Sequence, residues 1–209
     1  MKNTDGYIKT IENYDMGVDL HIQKSMSYNW INQVYYFIKR LKGKKVIDLG
    51  CGGGRDIPLF LNKGIDITGI DYSKETIKRC KKLFPSVRFY KRDIRETKFK
   101  DKTFDGVWAC ASLLNLKKKD MPKTLLEIKR ILKKEGIVFI SVKEGNKERY
   151  VPDKISKRFF SFYKKEEISD FIKKAGFNIF NIEKVSDYKL TNKKARPKKP
   201  DWICICARN

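Results

Sequence analysis

The sequence lacks several features that mark particular classes of protein. No apolar run approaches the ~18 residues that a membrane-spanning helix requires, and the first residues lack the apolar core of a signal peptide. The chain has one histidine, His21, and no pair of cysteines with CxxC spacing. Five cysteines are scattered along it: Cys51, Cys80, Cys110, Cys204 and Cys206. We therefore expect a cytoplasmic protein with reduced thiols, no metal site and no membrane association.

Acidic residues are also scarce. Lys and Arg total 48 against 25 Asp and Glu, which gives a formal net charge of +23. Such a charge favours polyanionic partners, so RNA is one candidate. However, only 11 of the 48 basic residues are arginine, the side chain that most often recognises phosphate, and the lysines are spread over the whole chain. The charge alone does not decide between RNA and a small molecule.

Apolar patterning predicts alternating strands and helices. The expected strands cover residues 45–49, 65–71, 87–90, 104–109, 136–142, 177–185 and 202–207. The expected helices cover residues 56–62, 74–83, 121–132 and 164–175. This alternation is typical of an α/β fold, a mostly parallel sheet with helices on both faces. We expect one domain over residues 1–209, with a helical cap at 1–43 and an α/β core at 44–209.

The cap is predicted to be helical from the spacing of its apolar residues. They recur every three or four positions, which is typical of one amphipathic helix that ends at Gly43. The residues of this stripe are Ile22, Met26, Trp30, Val34, Phe37 and Leu41.

The most informative motif is VIDLGCGGGRD at residues 46–56, where a strand leads through glycines into a helix. Gly50, Gly52 and Gly54 allow a tight turn and the close approach of a ligand to the backbone. A dinucleotide fingerprint would require glycine at position 55, where the chain has Arg55, and no P-loop pattern is present. The preceding acid, Asp48, suits a ligand that carries positive charge and disfavours a pyrophosphate.

Two further acids follow the next two strands. Asp71 lies about twenty residues beyond the glycines, where a carboxylate can accept hydrogen bonds from both ribose hydroxyls. Asp93 follows the third strand, where a carboxylate and the next backbone N–H can meet the edge of an adenine. A ligand with an amine, a ribose and an adenine but no phosphate fits this arrangement. S-adenosylmethionine is such a ligand.

Six segments then occur in order between Val46 and Val142: VIDLGCGGGRD, GIDYS, YKRDI, FDGVWACASLLNL, RILKKEG and IVFISVKEG. Together they resemble class I S-adenosylmethionine-dependent methyltransferases, and more locally a bacterial subgroup of the small-molecule type. The resemblance implies a Rossmann-like sheet of seven strands with an antiparallel last strand. It also implies S-adenosylmethionine as cofactor, bound at the carboxyl ends of the first strands.

The resemblance also assigns residues to the cofactor. Tyr72 would flank the adenine, Asp93 and Ile94 would read its polar edge, and residues 109–112 would lie against the methionine portion. The full expected cofactor set is Asp48, Gly50, Cys51, Gly52, Gly54, Arg55, Asp71, Tyr72, Ser73, Asp93, Ile94, Ala109 and Ser112. One departure is Asn115, where relatives often have histidine, so catalysis by that group is not expected here.

No catalytic residue is assigned by the sequence. The sulfonium of the cofactor is already a good leaving group, so alignment and exclusion of water come first and a general base is optional. His21 has a suitable pKa for a base, although a histidine near the start of a helix is more often only a surface residue. Tyr14, Trp30, Arg158 and Tyr163 are candidates to shape the acceptor pocket.

Residues 189–200, KLTNKKARPKKP, contain six basic residues and no acid and are expected to form a loop. Such a loop is either solvated or steers an anionic acceptor. We expect methyl transfer to an O, N or S atom of a small molecule. The alternatives are a methyltransferase that acts on tRNA or rRNA and a non-catalytic S-adenosylmethionine-binding module. The protein could be a monomer or a homodimer.

Overall fold

A computed structural model of the chain describes residues 5–191 and 200–209. The helices are α1 (Asp5–Met16), α2 (Val18–Met26), α3 (Ile31–Ile38), α4 (Ile57–Leu61), α5 (Lys74–Leu83), α6 (Met121–Ile131), α7 (Lys165–Lys174) and α8 (Asp187–Thr191). The strands are β1 (Lys45–Leu49), β2 (Asp66–Asp71), β3 (Arg88–Lys91), β4 (Phe104–Cys110), β5 (Leu132–Glu144), β6 (Glu148–Pro152), β7 (Lys157–Tyr163), β8 (Asn178–Val185) and β9 (Trp202–Arg208).

The centre of the fold is a parallel sheet in the order β3-β2-β1-β4-β5. Its middle strands are almost entirely apolar because helices cover both faces; Val46, Ile47 and Val107, for example, are fully buried. The strand order changes direction between β1 and β4, and in sheets of this kind the crevice beyond the carboxyl ends of such strands binds ligands.

The last strand of the sheet is antiparallel, as expected. β9 pairs in antiparallel fashion with β5 on one side and with β8 on the other. With β1–β5, these two strands make the expected seven-stranded α/β sheet.

A hairpin formed by β6 and β7 was not predicted. β7 pairs with β5 only at Lys143 and Glu144, beyond Cys110 and Ser141, the last pair between β4 and β5. The hairpin therefore extends from the carboxyl edge of the sheet, which is the edge expected to bind the ligand.

The N-terminal region is three helices, so the prediction of one continuous amphipathic helix was wrong. The apolar spacing crosses a break at residues 27–30, where the side-chain amide oxygen of Asn29 accepts a hydrogen bond from the backbone N–H of Ile31. Met26 consequently lies 48% exposed, whereas Val34 and Phe37 on α3 are fully buried in the core.

Two other predicted features have clear outcomes. Ser73 caps α5 as expected, since its hydroxyl accepts a hydrogen bond from the backbone N–H of Thr76 at 3.1 Å. Of the basic segment, residues 189–191 belong to α8 rather than to a loop. Residues 192–199 lie outside the described part. Within residues 5–191 and 200–209, no helix combines the length and apolarity needed to cross a membrane.

Candidate active site

The glycine turn after β1 has the backbone conformation that the sequence predicts. Gly50, Gly52 and Gly54 have φ angles of +73°, +50° and +75°, in the left-handed region that side chains disfavour. A Cβ at Gly50 would lie 2.5 Å from the Cβ of Ser112, whereas a Cβ at Gly52 would meet no atom within 4 Å. The turn at Gly52 therefore leaves open space in which a ligand can lie against the backbone.

Asp71 lies directly beside this turn. Its carboxylate accepts hydrogen bonds from the backbone N–H groups of Gly52 at 3.0 Å and of Ser73 at 2.9 Å. Burial raises the pKa of Asp71, while these hydrogen bonds oppose the increase. The fold thus brings the second acid to the glycines, although the two are separated in sequence by a helix and a strand.

A charged cluster lies on the other side of the turn. Arg55 pairs with Asp56 through two hydrogen bonds of 2.7 and 2.6 Å, and Asp56 also accepts a hydrogen bond of 2.8 Å from the indole of Trp108. Asp48 is buried next to them, and no hydrogen bond to its side chain is found in the described residues. Burial and the charge of Asp56 raise the pKa of Asp48 well above its ordinary value. A buried carboxyl in this position is suited to a positively charged ligand.

The open space at the turn belongs to a cavity of about 310 Å³. Its floor includes Asp48, the backbone of residues 50–53 and the end of β4. Its other walls come from α1, α2, the β6–β7 hairpin and the start of β9. Aromatic rings are frequent in these walls: Tyr14, His21, Tyr28, Phe160, Phe162 and Trp202.

The cavity is covered by α1, α2 and the β6–β7 hairpin, which we call its roof. Contacts between the helices and the hairpin hold the roof together. The guanidinium of Arg158 donates a hydrogen bond to the hydroxyl of Tyr14 and pairs with Asp153 at 2.8 Å. Lys24 on α2 pairs with the same carboxylate at 3.2 Å. The backbone N–H of Phe159 donates to the hydroxyl of Thr10 at 2.9 Å. Segments distant in sequence therefore form one cover over the turn.

His21 lies in this roof and is 8% exposed. Its Nε2 is 2.7 Å from the amide oxygen of Asn13, and its ring centroid is 4.5 Å from that of Tyr14. Burial, followed by the charge of Arg158, lowers the pKa of His21. The residue therefore lies in the interior of the site, in contrast to the surface position that was weighed against a catalytic role.

Two candidates for the acceptor pocket do not line the cavity. Side chains alternate between the two faces of a strand, so Arg158, Phe160 and Phe162 on β7 face the cavity. Tyr163 has the opposite parity and packs against Phe171 of α7 instead. Trp30 is likewise buried in the core, 1% exposed. It approaches the site through Arg55, whose guanidinium lies 5.5 Å from its ring, and through Trp202, whose ring centroid lies 5.3 Å away.

The end of β4 contributes different residues from those expected. Cys110 and Ala111 line the cavity, whereas Ala109 is fully buried and Ser112 packs behind Gly50. The reason is local: Ala111 has a φ angle of +60° and turns the chain after the strand. Its backbone N–H is held by the hydroxyl of Ser141 at 2.8 Å.

The expected adenosine-binding residues lie outside this cavity: Gly54, Asp71, Tyr72, Ser73, Asp93 and Ile94. Asp93 is paired with Arg95 at 2.7 Å, and Ile94 is buried. Their assignment to a ribose and an adenine stays a prediction.

Sequence reasoning missed a buried ion pair at the far end of the cavity. Lys143, at the end of β5, donates to the carboxylate of Asp187 at 2.7 Å and to the carbonyl of Pro200 at 2.8 Å. The same carboxylate accepts hydrogen bonds from Tyr28 and Trp202. Burial and this neighbouring charge raise the pKa of Tyr28. Nothing in the local sequence marks these residues, because they meet only in the folded chain.

Comparisons with known proteins agree with this geometry. Residues 47–140 match a family model described as "Methyltransferase domain". A demethylmenaquinone methyltransferase from Thermotoga maritima is 27% identical over 74% of this chain and 65% of its own length. A 2-methyl-6-phytyl-1,4-hydroquinone methyltransferase from Synechocystis sp. is 31% identical over 53% of this chain and 35% of its own length. The chain thus spans less than two thirds of these relatives.

A solved structure shares the fold over the whole chain. The 1,6-didemethyltoxoflavin-N1-methyltransferase from Burkholderia thailandensis, crystallised with 1,6-didemethyltoxoflavin and S-adenosylhomocysteine, superimposes with a TM-score of 0.77. The match covers 100% of this chain and 91% of that one at 20% sequence identity.

Proposed function

Because the chain belongs to the class I S-adenosylmethionine-dependent methyltransferases, we propose that it transfers a methyl group from S-adenosylmethionine to a small-molecule acceptor. The observation that carries this proposal is the open space against Gly52, which continues as one cavity up to the roof formed by α1, α2 and the hairpin. A methyl donor on the glycine turn and an acceptor below the roof would share this enclosed space.

The residues around the turn fit the cofactor. The left-handed Gly52 gives the ligand access to the backbone, and Asp48 offers a buried carboxyl to its positively charged end. Asp71 would accept the ribose hydroxyls, and Tyr72, Asp93 and Ile94 would surround the adenine. When bound, the cofactor supplies a methyl group on a sulfonium sulfur. The task of this chain is to hold the acceptor in line with that group and to exclude water.

The walls of the cavity favour a planar acceptor. Tyr28, Phe160, Phe162 and Trp202 present flat apolar surfaces, and aromatic rings pack well against one another in offset or edge-to-face geometry. Three of the similar proteins are named for ring compounds: demethylmenaquinone, 2-methyl-6-phytyl-1,4-hydroquinone and 1,6-didemethyltoxoflavin. We therefore propose a ring compound that is methylated on an O, N or S atom.

The enclosed roof also favours a small molecule over RNA. An RNA substrate requires an open, basic surface beside the methyl donor. Here Arg158 and Lys143 are both engaged with carboxylates inside the fold. The net charge of the chain therefore lies largely elsewhere than at the acceptor cavity.

The proposed cellular location rests on the cysteines of the chain, and the proposed domain organisation rests on its hydrophobic core. All five cysteines are buried and free, which supports reduced thiols in the cytoplasm. Trp30, Val34 and Phe37 of the cap share one hydrophobic core with the sheet. We propose that the cap and the core act as a single domain.

Isothermal titration and a labelling experiment test the function together. The protein is titrated with S-adenosylmethionine and then incubated with methyl-labelled cofactor and a cell extract divided into small-molecule and RNA fractions. We expect binding, with label in the small-molecule fraction and little dependence of the rate on salt. Label in RNA with a steep salt dependence would support the RNA alternative. Binding without any label would indicate a non-catalytic module, and no binding would contradict the proposal.

A further inference from the structure

The roof contains one side chain able to take a proton at neutral pH, and its hydrogen bonds define which nitrogen is available. His21 projects from α2 into the cavity wall, across from Arg158 on β7 and beside Tyr14 on α1. Methylation of an O–H or N–H group releases a proton, so a base in this wall has a direct use.

The tautomer of His21 follows from its neighbour. In the structure the amide of Asn13 is oriented with its nitrogen donating to the hydroxyl of Ser156 at 2.6 Å and its oxygen facing His21. An amide oxygen can only accept, so Nε2 of His21, at 2.7 Å, must carry the proton. The other ring nitrogen, Nδ1, then carries the lone pair.

Burial, more than the charges around it, keeps the ring neutral. Arg158 from β7 and Lys24 from the same helix also disfavour an imidazolium, while Asp153 from the hairpin turn and a hydrogen bond with the backbone of Asn13 favour it. Tyr14 packs against the ring from α1. Burial adds to the effect of the two cations, so the pKa of His21 lies below its ordinary value. At neutral pH the ring is available as a base.

We propose that His21 is the general base of the reaction and that Asn13 and Ser156 position it. This inference rests on the proposed function. Nδ1 takes the proton from an acceptor O–H, N–H or S–H group, and the electron pair left on the acceptor forms the bond to the methyl carbon. The carbon–sulfur bond breaks and its electron pair stays on sulfur. The positive charge of the sulfonium is thus replaced by the positive charge of an imidazolium. The Nε2–H of this imidazolium still donates its hydrogen bond to Asn13.

The tautomer can be measured without any acceptor. The chain has a single histidine, so nitrogen NMR of tag-free, histidine-labelled protein gives one imidazole spin system. We expect protonated Nε2 and unprotonated Nδ1 at neutral pH, with a titration below the ordinary pKa of histidine. In Asn13→Ala the preference for this tautomer should weaken. A proton on Nδ1 at neutral pH in the wild-type protein would overturn the proposal.

The catalytic role is tested with His21→Gln, which keeps a polar side chain but cannot act as a base. With labelled S-adenosylmethionine and the small-molecule extract as acceptor, we expect a rate at least ~100-fold lower at neutral pH. The deficit should shrink at high pH, where the acceptor ionises by itself. Cofactor affinity, measured by titration, should be unchanged. Gln23→Ala, an exposed position on the same helix, is the matched control and should keep the wild-type rate.

The outcomes separate this proposal from the proposed function. Equal rates for His21→Gln and the wild-type protein would overturn the base and leave the methyltransferase intact. A wild-type protein that binds the cofactor but labels nothing would overturn both.

Discussion

The guanidinium of Arg158 on β7 lies 2.7 Å from the hydroxyl of Tyr14 on α1, and the two residues face the same cavity. Arg158 is also paired with the buried carboxylate of Asp153. The Arg158 side chain is therefore one of the points at which the N-terminal helices and the hairpin are joined. Further contacts between these two halves of the roof are made by Thr10, Asn13, Gly17 and Lys24.

Arg158→Met should destabilise the protein, because it leaves Asp153 buried with only part of its compensating charge. We expect a loss of about 3 kcal/mol in the free energy of unfolding, measured by urea denaturation. The N-terminal helices should also become more sensitive to proteolysis. Arg149→Met, at an exposed position on the neighbouring strand, should change stability little. If both variants unfold alike, Arg158 does not join the roof as described.

Gly52→Val should abolish cofactor binding, since the new side chain would occupy the open space against the turn. Part of any effect comes from backbone strain at a positive φ angle, so the control must share that strain. Gly64→Val is suitable: Gly64 has a φ angle of +65° and lies in the turn between α4 and β2, away from the cavity. Titration with S-adenosylmethionine should show binding for the Gly64 variant alone. Binding by the Gly52 variant would contradict the assignment of the turn.

Asp71→Ala should weaken cofactor binding by about ten- to a hundredfold, through the loss of one or two charge-assisted hydrogen bonds. The matched control is Asp66→Ala at the opposite end of the same strand, where the carboxylate makes only an exposed ion pair with Arg88. Its affinity for the cofactor should equal that of the wild-type protein. An Asp71 variant with normal affinity in titration would show that the ribose lies elsewhere.

Cofactor affinity should rise with pH and then level off because of Asp48. Its pKa is raised in the free protein, and a nearby positive ligand favours the charged form, so binding should release a proton. At acidic pH the carboxyl is protonated and this attraction is lost. Titrations in buffers of different ionisation enthalpy measure the release, which Asp48→Asn should remove. A wild-type affinity independent of pH would exclude this role for Asp48.

The sheet and the glycine turn were predictable because their physical causes are local. Strands buried on both faces are continuous apolar runs, as in β1 and β4, and their observed bounds agree with the predicted ones within about one residue. The left-handed φ angles at Gly50, Gly52 and Gly54 were likewise predictable, because glycine tolerates such angles.

The hairpin and the break between α2 and α3 were missed for different reasons. Four of the five residues of β6 are exposed, so the strand has no apolar pattern and exists only through its pairing with β7. In the cap, the helical spacing happens to continue across residues 27–30, although the helix does not. Both errors come from structure that is set by distant contacts.

The position of Tyr163 could have been inferred from the sequence. Arg158 and Tyr163 lie an odd number of positions apart in one strand, so their side chains face opposite sides of it. The partners of Asp56 and Lys143 could not be inferred in this way, because Trp108 and Asp187 come from other elements.

The cover of the cavity comes from residues outside 47–140, the stretch that matches the methyltransferase family model. Residues 47–140 carry the turn that would hold the methyl donor, whereas Tyr14, His21 and Arg158 come from stretches before and after it. Those two stretches are joined by the hydrogen bonds of Arg158 with Tyr14 and of Phe159 with Thr10, so we expect them to work as an exchangeable pair. Moving both stretches together into a related enzyme should transfer the preference for a particular methyl acceptor. The part of that enzyme that binds the methyl donor would remain unchanged.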